Sequence, residues 1–288
     1  LMPGLSTVNV TGGNEATTVT NSQGNLSIVA STTNNDITTT SATPSLGAAD
    51  SIDVSLTSVG TTTNTTFTSN GIETMNVTLT GAASGSTTVG SERTVTLVSD
   101  QLETVNITGS VAANLVVDLD GADAFNQVGT VDASGASGGV TISVTAGDSS
   151  DKKTTVSMGA GDDKVTIGAL DKDYTVTGGA GSDTLVATAS APSTSLAAAD
   201  YVGVGVSGFE TISADSAGTV DFRSLANNTT FIATTGAGTY SKAGAGIADS
   251  YLTATSGTLT LTRATDTSAD ALNVHIQSAT AATVSASV

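Results

Sequence analysis

Alternating apolar and polar positions predict β-strands along most of this chain. One pattern, an apolar residue followed by Glu or Ser, then Thr, a second apolar residue and Asn or Ser, occurs in GIETMNVTLTG at 71–81 and in QLETVNITGS at 101–110. GFETISADS at 208–216 repeats it, and LSTVNVTGG at 5–13 is a further copy. Apolar residues on alternate positions give a strand one buried face. The first two copies are 30 residues apart, which fits the coils of a solenoid with variable insertions.

Two glycine-rich segments near the middle of the chain each join a turn to a short apolar strand. They are Met158–Thr166, MGAGDDKVT, and Gly178–Val186, GGAGSDTLV. The aspartate of each copy is followed by apolar residues at alternate positions, Val165 and Ile167 in the first copy and Leu185 and Ala187 in the second. The copies are 20 residues apart, close to one circuit of a flattened two-strand coil, so we expect both turns at one edge of the stack.

The chemistry of these two turns predicts calcium binding. Ca²⁺ takes about 6 to 8 oxygen ligands and tolerates irregular geometry. Glycine reaches the positive φ angles that let a turn direct its backbone carbonyls inward, and aspartate adds a carboxylate. The alternative is a pair of solvated turns that close β-hairpins. The candidate ligands are Gly159, Gly161, Asp163, Gly179, Gly181 and Asp183.

These segments resemble the nonapeptide of the repeats-in-toxin (RTX) proteins, GGxGxDxUx with U a large aliphatic residue. The second copy matches it fully, whereas the first has Met158 in the opening glycine position and carries a cation at Lys164. The resemblance implies a parallel β-roll in which the carbonyls of one turn and the aspartate of the stacked turn share each ion. The segment Gly168–Val176 would then form the opposite edge of the coil, with Asp171 and Asp173 as possible ligands.

Other acidic residues are weaker calcium candidates. The run DLDGAD spaces carboxylates two and three residues apart around a glycine, so Asp120 and Asp123 could hold one ion together. Asp132, shortly before Gly135, is a third candidate. The remaining ones are Asp118, Asp266 and Asp270.

Composition favours a solenoid over a globular core. The 288 residues include 32 glycines, 3% aromatic residues and no cysteine or tryptophan. Small and β-branched side chains fit closely spaced, regularly stacked strands, and signals for helices are almost absent. We therefore predict an all-β, right-handed parallel β-solenoid with calcium-binding glycine-aspartate turns.

The net charge of −18 excludes a general nucleic-acid binder, because phosphate contacts need a basic surface. An anionic membrane surface would repel the chain, and no apolar run is long enough to span a bilayer. Clustered carboxylates suit an environment rich in divalent cations, since bound Ca²⁺ neutralises their mutual repulsion.

We expect no enzymatic activity from this sequence. The single histidine, His275, alternates with the apolar residues of LNVHIQ, on the same strand face as the polar residues. It is therefore interpreted as an exposed strand residue. A zinc site lacks ligands, and no GxSxG motif accompanies His275. Paired carboxylates for glycoside hydrolysis stay an alternative, against which the shortage of aromatic residues argues. Glu73, Glu103 and Glu210 are interpreted as solvated, and Asn76 and Asn106 as a side-chain ladder.

The repeated Glu-Thr strands followed by glycine-aspartate turns look like the RTX-type surface-layer (S-layer) proteins of Gram-negative bacteria, most clearly over residues 71–215. The resemblance implies a secreted structural subunit, exported by a type I system, that folds with calcium and self-associates into a lattice on the cell surface. A region elsewhere in the full-length protein would contact cell-surface polysaccharide. The alternative function is a stalk module of a large calcium-dependent RTX adhesin.

The domain organisation predicted from these features has three parts. Residues 1–70 form a Thr-rich β segment, 71–215 the RTX-like calcium-binding solenoid and 216–288 further β coils. Tandem immunoglobulin-like sandwiches are an alternative for the two outer parts. The chain opens and ends within its strand pattern and shows no signal peptide, so we interpret it as a fragment of a longer secreted protein.

Overall fold

The computed structural model describes most of the first 214 residues and the backbone of seven later strands. These parts are residues 6–13, 15–22, 26–41, 50–85, 93–119, 129–145, 153–167, 174–187 and 205–214, followed by 218–221, 231–234, 238–243, 249–252, 258–263, 273–276 and 283–287. All the regular secondary structure within these ranges consists of β-strands. The predicted all-β class is therefore confirmed.

The chain divides into two compact units, Leu1–Asp163 and Lys164–Val288. The predicted division into 1–70, 71–215 and 216–288 stays a prediction.

The described residues of the first unit form thirteen strands. Consecutive strands alternate between two sheets, ordered β1-β3-β5-β7-β9-β11-β13 and β2-β4-β6-β8-β10-β12, so each strand lies beside the strand two places later in sequence. The strands are β1 Thr7–Thr11, β2 Thr17–Ser22, β3 Leu26–Ser31, β4 Ile37–Ser41, β5 Ser51–Thr57, β6 Thr65–Asn70, β7 Thr74–Leu79, β8 Val95–Val98, β9 Thr104–Gly109, β10 Ala113–Asp118, β11 Gly129–Ala136, β12 Val140–Thr145 and β13 Thr154–Ser157.

The second unit repeats this alternation in its described residues. Its strands pair as β15-β17, β14-β16-β18-β20-β22-β24 and β19-β21-β23-β25. They are β14 Lys164–Ile167, β15 Tyr174–Thr177, β16 Thr184–Ala187, β17 Gly205–Ser207, β18 Thr211–Ala214, β19 Gly218–Asp221, β20 Phe231–Thr234, β21 Gly238–Ala243, β22 Asp249–Leu252, β23 Thr258–Arg263, β24 Asn273–Ile276 and β25 Thr283–Ser287.

Within each unit the neighbouring strands run parallel, which is the arrangement of a β-solenoid. Parallel neighbours need a crossover between them, and here the crossover is the strand of the opposite sheet. The immunoglobulin-like alternative is wrong for the described strands of residues 1–70 and 217–288, because such sandwiches are built from antiparallel pairs. The right-handed winding stays a prediction.

Aliphatic columns fill the interior of the first unit. Alternate residues of each strand point inward and stack in register on the equivalent residue of the next coil. Each fully buried aliphatic side chain contributes about 1.5 to 3 kcal/mol, so the stack of coils needs no aromatic centre. One such buried column contains Leu26, Ile52, Met75, Val105, Val131 and Val156.

A polar ladder runs along the outward face of β5, β7 and β9. The side-chain amide of Asn106 donates to Oδ1 of Asn76 at 2.8 Å, and the amide of Asn76 donates to Oδ1 of Asp53 at 2.9 Å. These residues are partners in the strand register. The predicted Asn76–Asn106 ladder is confirmed, and Asp53 extends it by one coil.

Candidate metal-binding turns

The two glycine-aspartate segments adopt the same local structure. Each is a six-residue turn between two four-residue strands: residues 158–163 connect β13 to β14, and residues 178–183 connect β15 to β16. In both turns the alanine at the third position forms an isolated bridge. Val165 and Leu185 are fully buried in the strands that follow, as the alternation predicted.

Three of the four predicted glycine positions have the positive φ angle that the calcium hypothesis requires. Gly161, Gly179 and Gly181 have φ angles of 117°, 99° and 141°. Gly159 is different, since its φ lies outside the left-handed region. A Cβ at Gly159 would overlap the carbonyl oxygen of Ala136, so this glycine is needed for close backbone packing rather than for its φ angle.

Asp163 closes the first turn with a buried carboxylate. Its side chain is 2% exposed, and its Oδ1 accepts the backbone N–H of Val140 at 2.7 Å. Its Oδ2 atom is buried and accepts no hydrogen bond within the part of the chain that the structure describes. Burial raises the pKa of Asp163, since the N–H groups of Val140 and Gly159 offset only part of the desolvation and Asp162 adds repulsion.

Asp183 holds the corresponding position in the second turn and is 1% exposed. Its backbone N–H donates to Oε2 of Glu210 at 2.8 Å, and its carbonyl oxygen accepts the N–H of Thr211 at 3.0 Å. The Oδ2 atom of Asp183 is buried, and no described group donates a hydrogen bond to this oxygen. Both turns therefore carry a buried carboxylate oxygen with remaining acceptor capacity.

The donor set of each turn fits a hard cation that prefers oxygen. A carboxylate oxygen and the carbonyls of a glycine-rich turn are the ligands that Ca²⁺ takes in proteins. Among the described residues, no three histidine, cysteine, aspartate or glutamate side chains come together to hold a metal ion. An ion at either turn would therefore depend mainly on backbone carbonyls.

The weaker calcium candidates lie elsewhere in the chain. Asp132 lies in β11, where its Oδ1 accepts the N–H of Ser134 at 3.0 Å, and as a calcium ligand it stays a prediction. Asp118 ends β10. The candidates that fall outside the described residues are Asp120, Asp123, Asp171, Asp173, Asp266 and Asp270.

Carboxylates at coil corners have a structural role that the local sequence did not predict. The expectation that Glu73 is solvated was wrong, since Glu73 is 8% exposed and its Oε2 accepts the N–H of Asp50 at 2.8 Å. Asp36 accepts the N–H of Thr66 at 2.8 Å in the same manner. Each of these carboxylates binds a backbone amide of a neighbouring coil, which a charge count alone does not reveal.

His275 lies in β24, paired with Tyr251 of β22, and its predicted outward orientation stays a prediction. Within the described ranges, no helix is long and apolar enough to cross a membrane.

No protein-family model, curated protein or solved structure matches the chain.

Proposed function

We propose that this chain is a structural module of a bacterial surface layer, folded and stabilised by calcium bound at its glycine-aspartate turns. The observation that carries the proposal is the pair of turns of the same form, residues 158–163 and 178–183, each ending in a buried aspartate. The parallel stacking of strands within each unit suits a structural role. The proposed location is extracellular, on the bacterial cell surface, with copies of the chain as partners.

Calcium would remove an electrostatic cost that the fold carries at these turns. A buried ionised carboxylate is unfavourable unless a cation or hydrogen bonds compensate it, and the raised pKa of Asp163 reflects that cost. Asp163 and Asp183 would supply carboxylate oxygen, and Gly159, Gly161, Gly179 and Gly181 would supply carbonyls. An ion that binds only the folded chain stabilises it by about 2.7 kcal/mol per site at 100 times its Kd.

The low calcium concentration inside a cell would leave the folded acidic chain less stable before export than outside the cell. Its net charge of −18 opposes a compact state through self-repulsion. Outside the cell, calcium would neutralise part of that charge and favour the stacked coils.

Calcium titration of EDTA-treated protein tests this proposal. Circular dichroism and thermal unfolding are recorded for the wild type and for the Asp163→Asn, Asp183→Asn double variant. Asparagine keeps an oxygen that can accept the N–H of Val140, so the variant should fold in EDTA and lose the calcium response. Asp36→Asn is the matched control, because Asp36 also accepts a backbone N–H at a coil corner and should leave the response unchanged.

A wild-type chain whose unfolding is indifferent to calcium would refute the calcium role. Light scattering and electron microscopy in the same titration distinguish a lattice from an adhesin stalk. Ordered assemblies that grow with calcium support the surface layer. A chain that binds calcium and stays monomeric at all concentrations favours the stalk.

A further inference from the structure

Glu210 and Thr211 form a two-point clasp on the backbone of the second turn. The N–H of Asp183 donates to Oε2 of Glu210 at 2.8 Å, and the N–H of Thr211 donates to the carbonyl oxygen of Asp183 at 3.0 Å. Both polar groups of the Asp183 backbone are thereby fixed from the coil that carries β18. The main chain from which the Asp183 side chain extends is held on both sides.

The same clasp occurs in the first unit at Asp50, where the sequence lacks the GGxGxD motif. The N–H of Asp50 donates to Oε2 of Glu73 at 2.8 Å, and the N–H of Thr74 donates to the carbonyl oxygen of Asp50 at 3.1 Å. In both cases an aspartate precedes a strand, and the strand stacked on it begins with a Thr that directly follows a Glu. The clasp therefore occurs at two places among the described residues, and at Asp183 it adjoins a glycine-rich turn.

We propose that Glu210 is a positioning residue for the calcium turn that ends at Asp183, acting through the Asp183 backbone rather than as a ligand. This inference rests on the proposed calcium function. A carboxylate that accepts a backbone N–H makes one of the stronger hydrogen bonds in proteins, so Glu210 fixes the turn before the ion arrives. Preorganisation of this kind lowers the cost of ordering the ligands when the metal binds.

Packing around the turn supports the same role. A Cβ at Gly178 would overlap the carbonyl oxygen of Gly208, two residues before Glu210. Gly208 itself has a φ of 71°, a conformation that favours glycine. The segment that carries Glu210 therefore lies directly against the start of the turn, and a shift of this segment would move the Asp183 backbone.

Calcium affinity and amide exchange of the full chain test the proposal. Loss of residues that orient metal ligands typically costs 10- to 100-fold in affinity, so calorimetry should show Glu210→Ala binding calcium at least about tenfold more weakly than the wild type. Glu210→Gln retains an oxygen that can accept the Asp183 N–H and should keep most of the affinity. In EDTA, hydrogen exchange at the Asp183 amide should rise in Glu210→Ala and stay near the wild-type rate in Glu210→Gln.

Glu73→Ala is the matched control, because it removes the same clasp at Asp50, where the sequence lacks the GGxGxD motif. It should raise exchange at the Asp50 amide and leave calcium affinity unchanged. Equal loss of affinity in Glu210→Ala and Glu210→Gln would overturn the proposal in favour of direct ligation. Unchanged affinity in Glu210→Ala, or an Asp183 amide that exchanges at the wild-type rate, would also overturn it. A wild type that binds no calcium refutes the proposed function instead, and the clasp is then judged by amide exchange alone.

Discussion

Replacement of Glu73 by glutamine should make the calcium-free protein more stable at neutral pH. Glu73 immediately precedes β7, its side chain is 8% exposed, and its Oε2 accepts the Asp50 N–H at 2.8 Å. Burial raises its pKa above 4.5, and the charges of Asp50 and Glu103 add to the rise. Backbone hydrogen bonds act in the opposite direction, but the raised pKa means that desolvation and repulsion together outweigh them. The ionised form therefore costs stability.

The sign of the pH dependence follows from that direction. A carboxyl whose pKa is raised by folding contributes stability that is fully present below its unfolded pKa and lost as the pH rises through the folded pKa. Glutamine resembles the protonated carboxyl, since its amide oxygen can accept the Asp50 N–H and it carries no charge. The variant should therefore match the wild type below pH 4.5 and be the more stable of the two proteins at neutral pH.

Urea unfolding in EDTA, followed by circular dichroism across this pH range, measures the difference. Asp36→Asn is the control, because it also removes one carboxylate that accepts a backbone N–H but lies at an exposed position. Asp36→Asn should not gain stability at neutral pH, because it relieves no burial of a charged group. A Glu73→Gln variant that is less stable than the wild type at neutral pH would refute the reasoning, because the hydrogen bond to the charged form would then outweigh the cost of burial.

Two pairs of substitutions test the packing. Thr65→Val should stabilise the fold by about 1 kcal/mol in urea unfolding, because Thr65 is 1% exposed and its hydroxyl oxygen has no hydrogen-bond partner among the described residues. Thr39→Val should destabilise the fold by a similar amount, because it removes the 2.6 Å hydrogen bond that the Thr39 hydroxyl donates to Ser69. Stability changes of the same sign in the two variants would contradict these hydrogen-bond assignments. Gly159→Ala should lower the free energy of unfolding by more than about 2 kcal/mol, because the new Cβ overlaps backbone, and it should weaken the calcium response. Gly205→Ala should be tolerated, because its Cβ meets only a Thr side chain, at 3.2 Å. Equal melting temperatures for the two variants would argue against the close packing at Gly159.

The strands and their parallel stacking could be predicted from the sequence because both leave a local signal. Alternation marks each strand, and the 30-residue spacing of the Glu-Thr copies matches the register that pairs Thr74 with Thr104. The Asn76–Asn106 ladder followed from the same spacing. The turns at 158–163 and 178–183 were visible because glycine and aspartate at fixed positions constrain the backbone strongly.

The corner carboxylates escaped prediction because their partners are remote in sequence. Glu73 accepts the N–H of Asp50, 23 residues earlier, and Glu210 accepts the N–H of Asp183, 27 residues earlier. These separations depend on the length of each coil, which varies along the chain, so local alternation placed Glu73 on the solvated face. A useful signal would have been the pairing of an Asp-Ser or Asp-Thr start in one strand with a Glu-Thr start in the next.

This structural use of carboxylates changes how the acidic composition is understood. A chain with 26 acidic and 8 basic residues suggests bound cations, yet Asp36 and Glu73 both accept a backbone amide of another coil. Net charge alone therefore does not argue for calcium. The argument depends on Asp163 and Asp183, where burial is nearly complete and the turn before each aspartate contains glycine with a positive φ angle. If calcium stabilises the fold, its effect should disappear with these two aspartates and persist when Asp36 is neutralised.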